Sequence, residues 1–195
     1  MRLTKLRNKM TELSLDAVIV PDELNQHYLS EFAFTDGFLF VTKEKAYLVT
    51  DFRYYEMALN KANKSFEVVM PENRKSFLEE IIAEYGIKTI GFEGGSVSYE
   101  TYRRYCDESP SCEFVNIGDT IEVIRQIKSQ DEIEKMQKAQ DITDAALSNL
   151  LRIITPNMTE LDVAVELEYA MRKGGADSFA FETIAVSGTA SSMPH

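Results

Sequence analysis

The 195 residues hold two histidines, His27 and His195, and two cysteines, Cys106 and Cys112. Histidines so far apart in sequence give no defensible Ser/His/Asp or Cys/His arrangement for nucleophilic catalysis. The cysteine spacing matches no zinc pattern, so buried or idle thiols are expected. A secreted domain of this size would tend to carry more cysteines as staples. Positive charge is scarce too: 21 Lys and Arg face 32 Asp and Glu, a formal net charge of −11. Phosphate repels such a surface, which argues against a nucleic-acid partner. No apolar run approaches the ~20 residues that cross a bilayer, so no membrane partner is expected. The basic start at Arg2, Lys5 and Arg7 meets Glu12 and Asp16 with no apolar signal core. The chain reads as cytoplasmic.

What is present is ordinary globular material, 44% hydrophobic and 27% charged, enough for a core. Leu3, Leu6, Met10 and Leu13 recur at helical spacing. Ala17–Val20 is a short apolar run ended by Pro21, the mark of a buried strand. Asp22 to Phe32 reads as a helix with Asp22 as its cap. Phe38–Thr42 and Ala46–Thr50 form a hairpin about Lys43-Glu44-Lys45. Helices are then expected over Tyr54–Ala62, around Phe77–Ile82 with Gly86 as terminator, and over Tyr99–Cys106. Strands are expected at Phe66–Val69, Ile87–Phe92 and Phe114–Ile117. This is an α/β pattern, a mixed sheet flanked by helices, placed at residues 1–118.

From residue 119 the pattern turns helical. Ser129-Gln130-Asp131-Glu132 has the form of a capping box. Ile133, Met136, Ala139, Thr143, Ala146, Leu150 and Ile153 continue one long amphipathic helix to Thr155-Pro156. A second helix runs from Thr159 to Gly174-Gly175, and Thr183–Val186 is expected as a strand. Residues 119–195 form the second domain.

Few residues suggest chemistry on spacing alone. Glu23, His27 and Glu31 could share a helix face and hold a metal, but a solvated charged face is the stronger reading. Gly91-Phe92-Glu93-Gly94-Gly95 lacks the rest of a phosphate-binding motif, leaving a strand-to-loop turn. Asp51, Arg53 and Tyr54 follow a strand, where an Asp–Arg pair beside a tyrosine could grip a charged peptide end. On spacing alone, a helix cap made by Asp51 explains them better.

Several segments together resemble the creatinase-like, "pita-bread" family of Xaa-Pro dipeptidases and aminopeptidases. In the second domain these are Ile124-Arg125-Gln126-Ile127-Lys128-Ser129-Gln130-Asp131-Glu132-Ile133, Pro156-Asn157-Met158-Thr159-Glu160 (with Asn157 where the family has glycine), Met171 to Ala176, and Phe181 to Gly188 followed by Met193-Pro194-His195. In the first domain Asn25 to Ser30 resembles N-x-x-Y-L-[ST], Thr50 to Tyr54 resembles T-D-x-R-Y, and Ile90 to Glu93 resembles I-G-F-E.

The resemblance implies a creatinase/prolidase-type first domain followed by an incomplete α+β pita-bread catalytic domain. It implies hydrolysis of Xaa-Pro bonds by two divalent metal ions (Mn, Co or Zn) in a full-length enzyme, and a homodimer. The family's metal ligands lie downstream of its P-H-G motif, so none maps here, and this chain alone is expected to bind no metal pair and to be inactive. His195 maps to a residue that contacts substrate and is the candidate catalytic residue. Asp51, Arg53 and Tyr54 are the candidate substrate-binding residues, with proline-containing peptides as partners. Alternatives are a non-enzymatic peptide-binding protein of the same fold and a creatine amidinohydrolase-like enzyme.

Overall fold

The structure is a computed structural model that describes residues 2–193. The chain divides between Ile127 and Lys128 into two compact units.

The first unit runs α1 (Arg2–Glu12), β1 (Ala17–Val20), α2 (Glu23–Ser30), β2 (Gly37–Thr42), β3 (Ala46–Thr50), α3 (Phe52–Lys61), β4 (Glu67–Val69), α4 (Arg74–Tyr85), β5 (Thr89–Phe92), α5 (Tyr99–Glu108), β6 (Glu113–Asn116) and α6 (Thr120–Gln126). Its six strands form one sheet in the order β4-β3-β2-β1-β5-β6. β1–β2 and β2–β3 are antiparallel, and β1–β5, β3–β4 and β5–β6 are parallel. The sheet is mixed, as expected.

The central strands are buried along nearly their whole length because helices cover both faces. Strand alternation sorts the side chains. Val18, Val20, Leu39, Val41 and Leu48 join Leu6 and Met10 of α1 and Ile121 and Ile124 of α6 in one cluster. Ala17, Ile19, Phe40, Tyr47, Val49 and Ile90 join Ile81 and Ile82 of α4 in the other, with Tyr102 and Tyr105 of α5 packed against it. The expected division at residue 118 left α6 to the second domain, but its Ile121 is fully buried in the first core. The unit therefore extends to Ile127.

Two glycines are dictated by geometry. Gly86 ends α4 at φ +60, a conformation that costs other residues strain. At Gly37 an added Cβ would lie 2.1 Å from the Val49 carbonyl oxygen, so no side chain fits where β2 begins.

The second unit runs α7 (Gln130–Ile153) and α8 (Glu160–Lys173), then irregular chain to a 3₁₀ turn at Gly188–Ser192. Both helices open on capping boxes, Ser129 with Glu132 and Thr159 with Asp162, so the start signals read in the sequence are physical ones. Gly174 brings the end of α8 close to α7: a Cβ there would stand 3.1 Å from Ile142 Cγ2. The strand expected at Thr183–Val186 is not formed. A strand needs a neighbour to receive its ladder hydrogen bonds, and this unit has no other strand among the described residues.

Candidate functional site

Sheet topology collects polar residues at one end. β1 and β5 run parallel with Ile19 opposite Phe92, so Asp22 and Glu93 follow neighbouring strand ends. The antiparallel register sets Val20 opposite Leu39 and Gly37 opposite Thr50. This places Asp36, just before β2, beside Asp51, just after β3. Ligands in open α/β sheets commonly bind outside the strands' carboxyl ends, and two polar clusters form at this edge.

The first is built around Arg53. Asp51 caps α3 by accepting from the Arg53 backbone N–H at 2.9 Å. The Arg53 side chain folds back onto the same carboxylate, with Nε 3.2 and 3.1 Å from its oxygens and Nη2 2.5 Å from Oδ2. Nη2 also reaches Asp36 at 2.8 Å. The guanidinium lies over the Tyr54 ring, 5.8 Å from its centroid, and the Tyr54 hydroxyl meets Thr35 Oγ1 at 2.8 Å. Thr35 Oγ1 donates to Asp36 at 2.9 Å, and Arg74 donates to the Asp36 carbonyl at 3.3 Å. The Arg53 hydrogen bond holds the Asp51 carboxyl below the usual carboxylate range, and Asp51 in turn raises Arg53. The structure thus brings Asp51, Arg53 and Tyr54 together on a half-exposed surface. The cap reading holds, and the same Asp51 carboxylate is ion-paired with Arg53. Asp36, Thr35 and Arg74 were missed, because only the β2–β3 register and the start of α4 bring them there.

The second cluster is buried. Asn25, fully buried on α2, donates through Nδ2 to Glu93 Oε1 and to Glu122 Oε1, the latter at 2.9 Å. Its Oδ1 accepts from Arg125 Nη1 at 2.8 Å. Glu93 is 2% exposed, and its Oε2 accepts from the Asp22 backbone N–H at 3.4 Å. Burial, aided by the charges of Asp22 and Glu122, pushes its carboxyl up to about 7, against the pull of the Asn25 and Asp22 hydrogen bonds. Sequence reasoning quoted Asn25, Glu93 and Arg125 only within motifs. The available signal was a carboxylate ending the apolar run Ile90-Gly91-Phe92.

The Glu23–His27–Glu31 row does not survive as a helix face. α2 ends at Ser30, Glu31 turns left-handed at φ 60, and it pairs with Arg2 at 3.4 Å. His195 lies outside the described residues. No group of three or more His, Cys, Asp or Glu among the described residues could hold a metal ion. Among those residues, no helix is long and apolar enough to cross a membrane.

Comparison with known proteins gives these arrangements a context. A family model described as the creatinase/prolidase N-terminal domain matches residues 2–127. One described as metallopeptidase family M24 matches residues 134–195. An uncharacterised peptidase of Bacillus subtilis is 36% identical, aligned over 100% of this chain and 55% of its own length. The Xaa-Pro dipeptidase of Pyrococcus furiosus is 35% identical over 100% of this chain and 54% of its own. The solved prolidase from Pyrococcus furiosus superposes with a TM-score of 0.85 at 33% identity, covering 99% of this chain and 59% of that one. The chain thus spans about half the length of the curated relatives it matches.

Proposed function

This chain belongs to the creatinase/prolidase family of M24 metallopeptidases, and from that premise we propose that it is the front part of a metal-dependent peptidase hydrolysing Xaa-Pro bonds. The observation that carries the reading is similarity along the whole chain, through both units, to an Xaa-Pro dipeptidase. Proline's tertiary amide offers no N–H, so such a site must work through the scissile carbonyl and the peptide's charged end. A metal pair, when bound, supplies hydroxide near neutral pH and polarises that carbonyl.

The described residues do not fit such a pair: their carboxylates are capped, ion-paired or scattered. We assign the ligands to sequence following the P-H-G motif, and this chain alone is inactive. His195 hydrogen-bonds substrate in the assembled enzyme. The Asp51–Arg53–Tyr54 cluster supports a role in gripping a charged peptide end, because Arg53 is pre-positioned by two carboxylates and a ring rather than left to find its rotamer on binding. The protein acts in the cytoplasm.

Exposed apolar side chains on α7 and α8, among them Met136, Leu151 and Leu161, support self-association, so the proposed form is a homodimer. A monomer by light scattering at micromolar concentration would count against that part.

Calorimetric titration with manganese or cobalt tests the central claim. The expected result is no stoichiometric pair of ions and an intact Xaa-Pro dipeptide after incubation. Two tightly held ions per chain, or turnover of the dipeptide, above all turnover that survives His195→Ala, would overturn it. For substrate binding, an excess of Xaa-Pro dipeptide should shift the NMR signals of Asp51, Arg53 and Tyr54, and Arg53→Gln should abolish the shifts.

A further inference from the structure

The buried cluster has a feature that packing alone does not explain. Both hydrogens of one amide nitrogen, Asn25 Nδ2, are committed to carboxylates, Glu93 on the end of β5 and Glu122 on α6. The two acids are therefore drawn to a single atom. The nearby cation, Arg125, is spent on the amide oxygen of Asn25. Glu122 Oε2 is left buried with no hydrogen-bond partner. Two ionised carboxylates in this position repel, and a buried ionised oxygen without a donor is costly. A proton on Glu93 relieves the repulsion.

We propose that Glu93, Asn25, Glu122 and Arg125 form a proton-operated clamp that fastens α6 to α2 and β5. The clamp is closed while Glu93 holds a proton and loosened when that proton leaves.

Each element packed around the pair bears on its charge. α2 contributes Asp22, whose carboxylate favours protonation and whose backbone N–H opposes it. α6 contributes Glu122 and Arg125. α5 contributes Tyr105, which burial keeps protonated. Apart from Arg125, no cation hydrogen-bonds to the cluster among the described residues.

The direction of the pH effect follows. Glu93 is raised from the ordinary 4.5 to about 7 in the fold. Between those values the folded chain keeps a proton that the unfolded chain releases. Stability therefore falls as pH rises through that window and levels off above it. α6 should feel this first, because the clamp is its polar attachment.

The test is a pH series on the 195-residue chain, from about pH 5 to about pH 8, by thermal melting and by hydrogen exchange corrected for intrinsic rate. Wild type should lose on the order of 5 °C across the range, and amides of residues 120–126 should lose protection faster than those of α1. In Glu93→Gln the dependence should flatten. In Glu122→Gln the midpoint should move to lower pH, since a like charge is gone, and this variant keeps the test alive if Glu93→Gln fails to fold. Parallel profiles for wild type and Glu93→Gln, an unmoved midpoint in Glu122→Gln, or α6 tracking α1 would each overturn the clamp.

Discussion

The first unit and the second treat apolar side chains differently. In the first, sheet and helices enclose two clusters, and residues such as Leu39, Leu48 and Val49 are fully buried. In the second, Ala146 and Leu150 are the buried hydrophobics among the described residues, while Leu161 stays 71% exposed and Phe181 77% exposed. A groove of about 560 Å³ runs between α7 and α8, lined by Ile142, Leu150, Ile153 and Tyr169 among others. The amphipathic period is as regular in the second unit as in the first. Periodicity shows which face wants burial, and only the fold around it decides whether that face is buried.

Cutting the chain at the boundary should break the comparison most visibly. Residues 1–127 alone should give a cooperative thermal transition by circular dichroism, and residues 128–195 alone should give none. A cooperative second fragment would sink the contrast. Next in size is a core truncation: Phe40→Ala should cost about 3–5 kcal/mol in urea unfolding, since Phe40 is 1% exposed between β1 and β3.

A polar anchor comes third. Asp16 accepts from the backbone N–H groups of Lys88 and Thr89 at 2.9 and 3.1 Å and pairs with Lys43 at 2.7 Å. The Lys43 hydrogen bond comes first among the causes that hold its carboxyl well below the ordinary range. Its folded value is depressed, so its stabilisation is present at neutral pH and lost as pH falls. Asp16→Asn should cost about 1–3 kcal/mol at neutral pH, and the gap from wild type should close in acid.

In the second unit, Ser129→Ala removes a capping box and should cost about 1 kcal/mol of helix stability, read as lost helical signal. The smallest effect belongs to Leu161→Ala, expected within about 0.5 kcal/mol. A loss as large as that of Phe40→Ala would mean α8 is covered in solution.

Much of this was legible in the sequence because it is written locally. The caps at Asp22, Ser129 and Thr159, the stop at Gly86 and the hairpin about residues 43–45 each need only a few neighbouring residues. What stayed illegible depends on partners distant in the chain. α6 buries two apolar side chains, Ile121 and Ile124, and nothing within it says that they join a core begun at Leu3. The Thr183–Val186 segment has strand chemistry but no ladder to join. Within the candidate site, Asp51, Arg53 and Tyr54 are a local triplet and could be found. Asp36 enters through strand register, and Glu93 meets Glu122 and Arg125 only after α6 has packed.

The mixed sheet also dictates a schedule. In the antiparallel run β1–β2–β3, β2 and β3 need only a short turn and β1 joins them across the connection that holds α2, so all three can pair as soon as those residues exist. On its other side, β1 waits for β5: Asp16 bonds to Thr89 from 73 positions away. At about 5–20 residues per second of synthesis, the inner edge of β1 stays unpaired for several seconds, a strand edge open to wrong partners. Non-local pairing of this kind also slows refolding. Pulse-labelled hydrogen exchange should find β2 and β3 protected before β5 and β6. The nascent protein is at its most vulnerable after Thr50 has emerged and before Phe92 has.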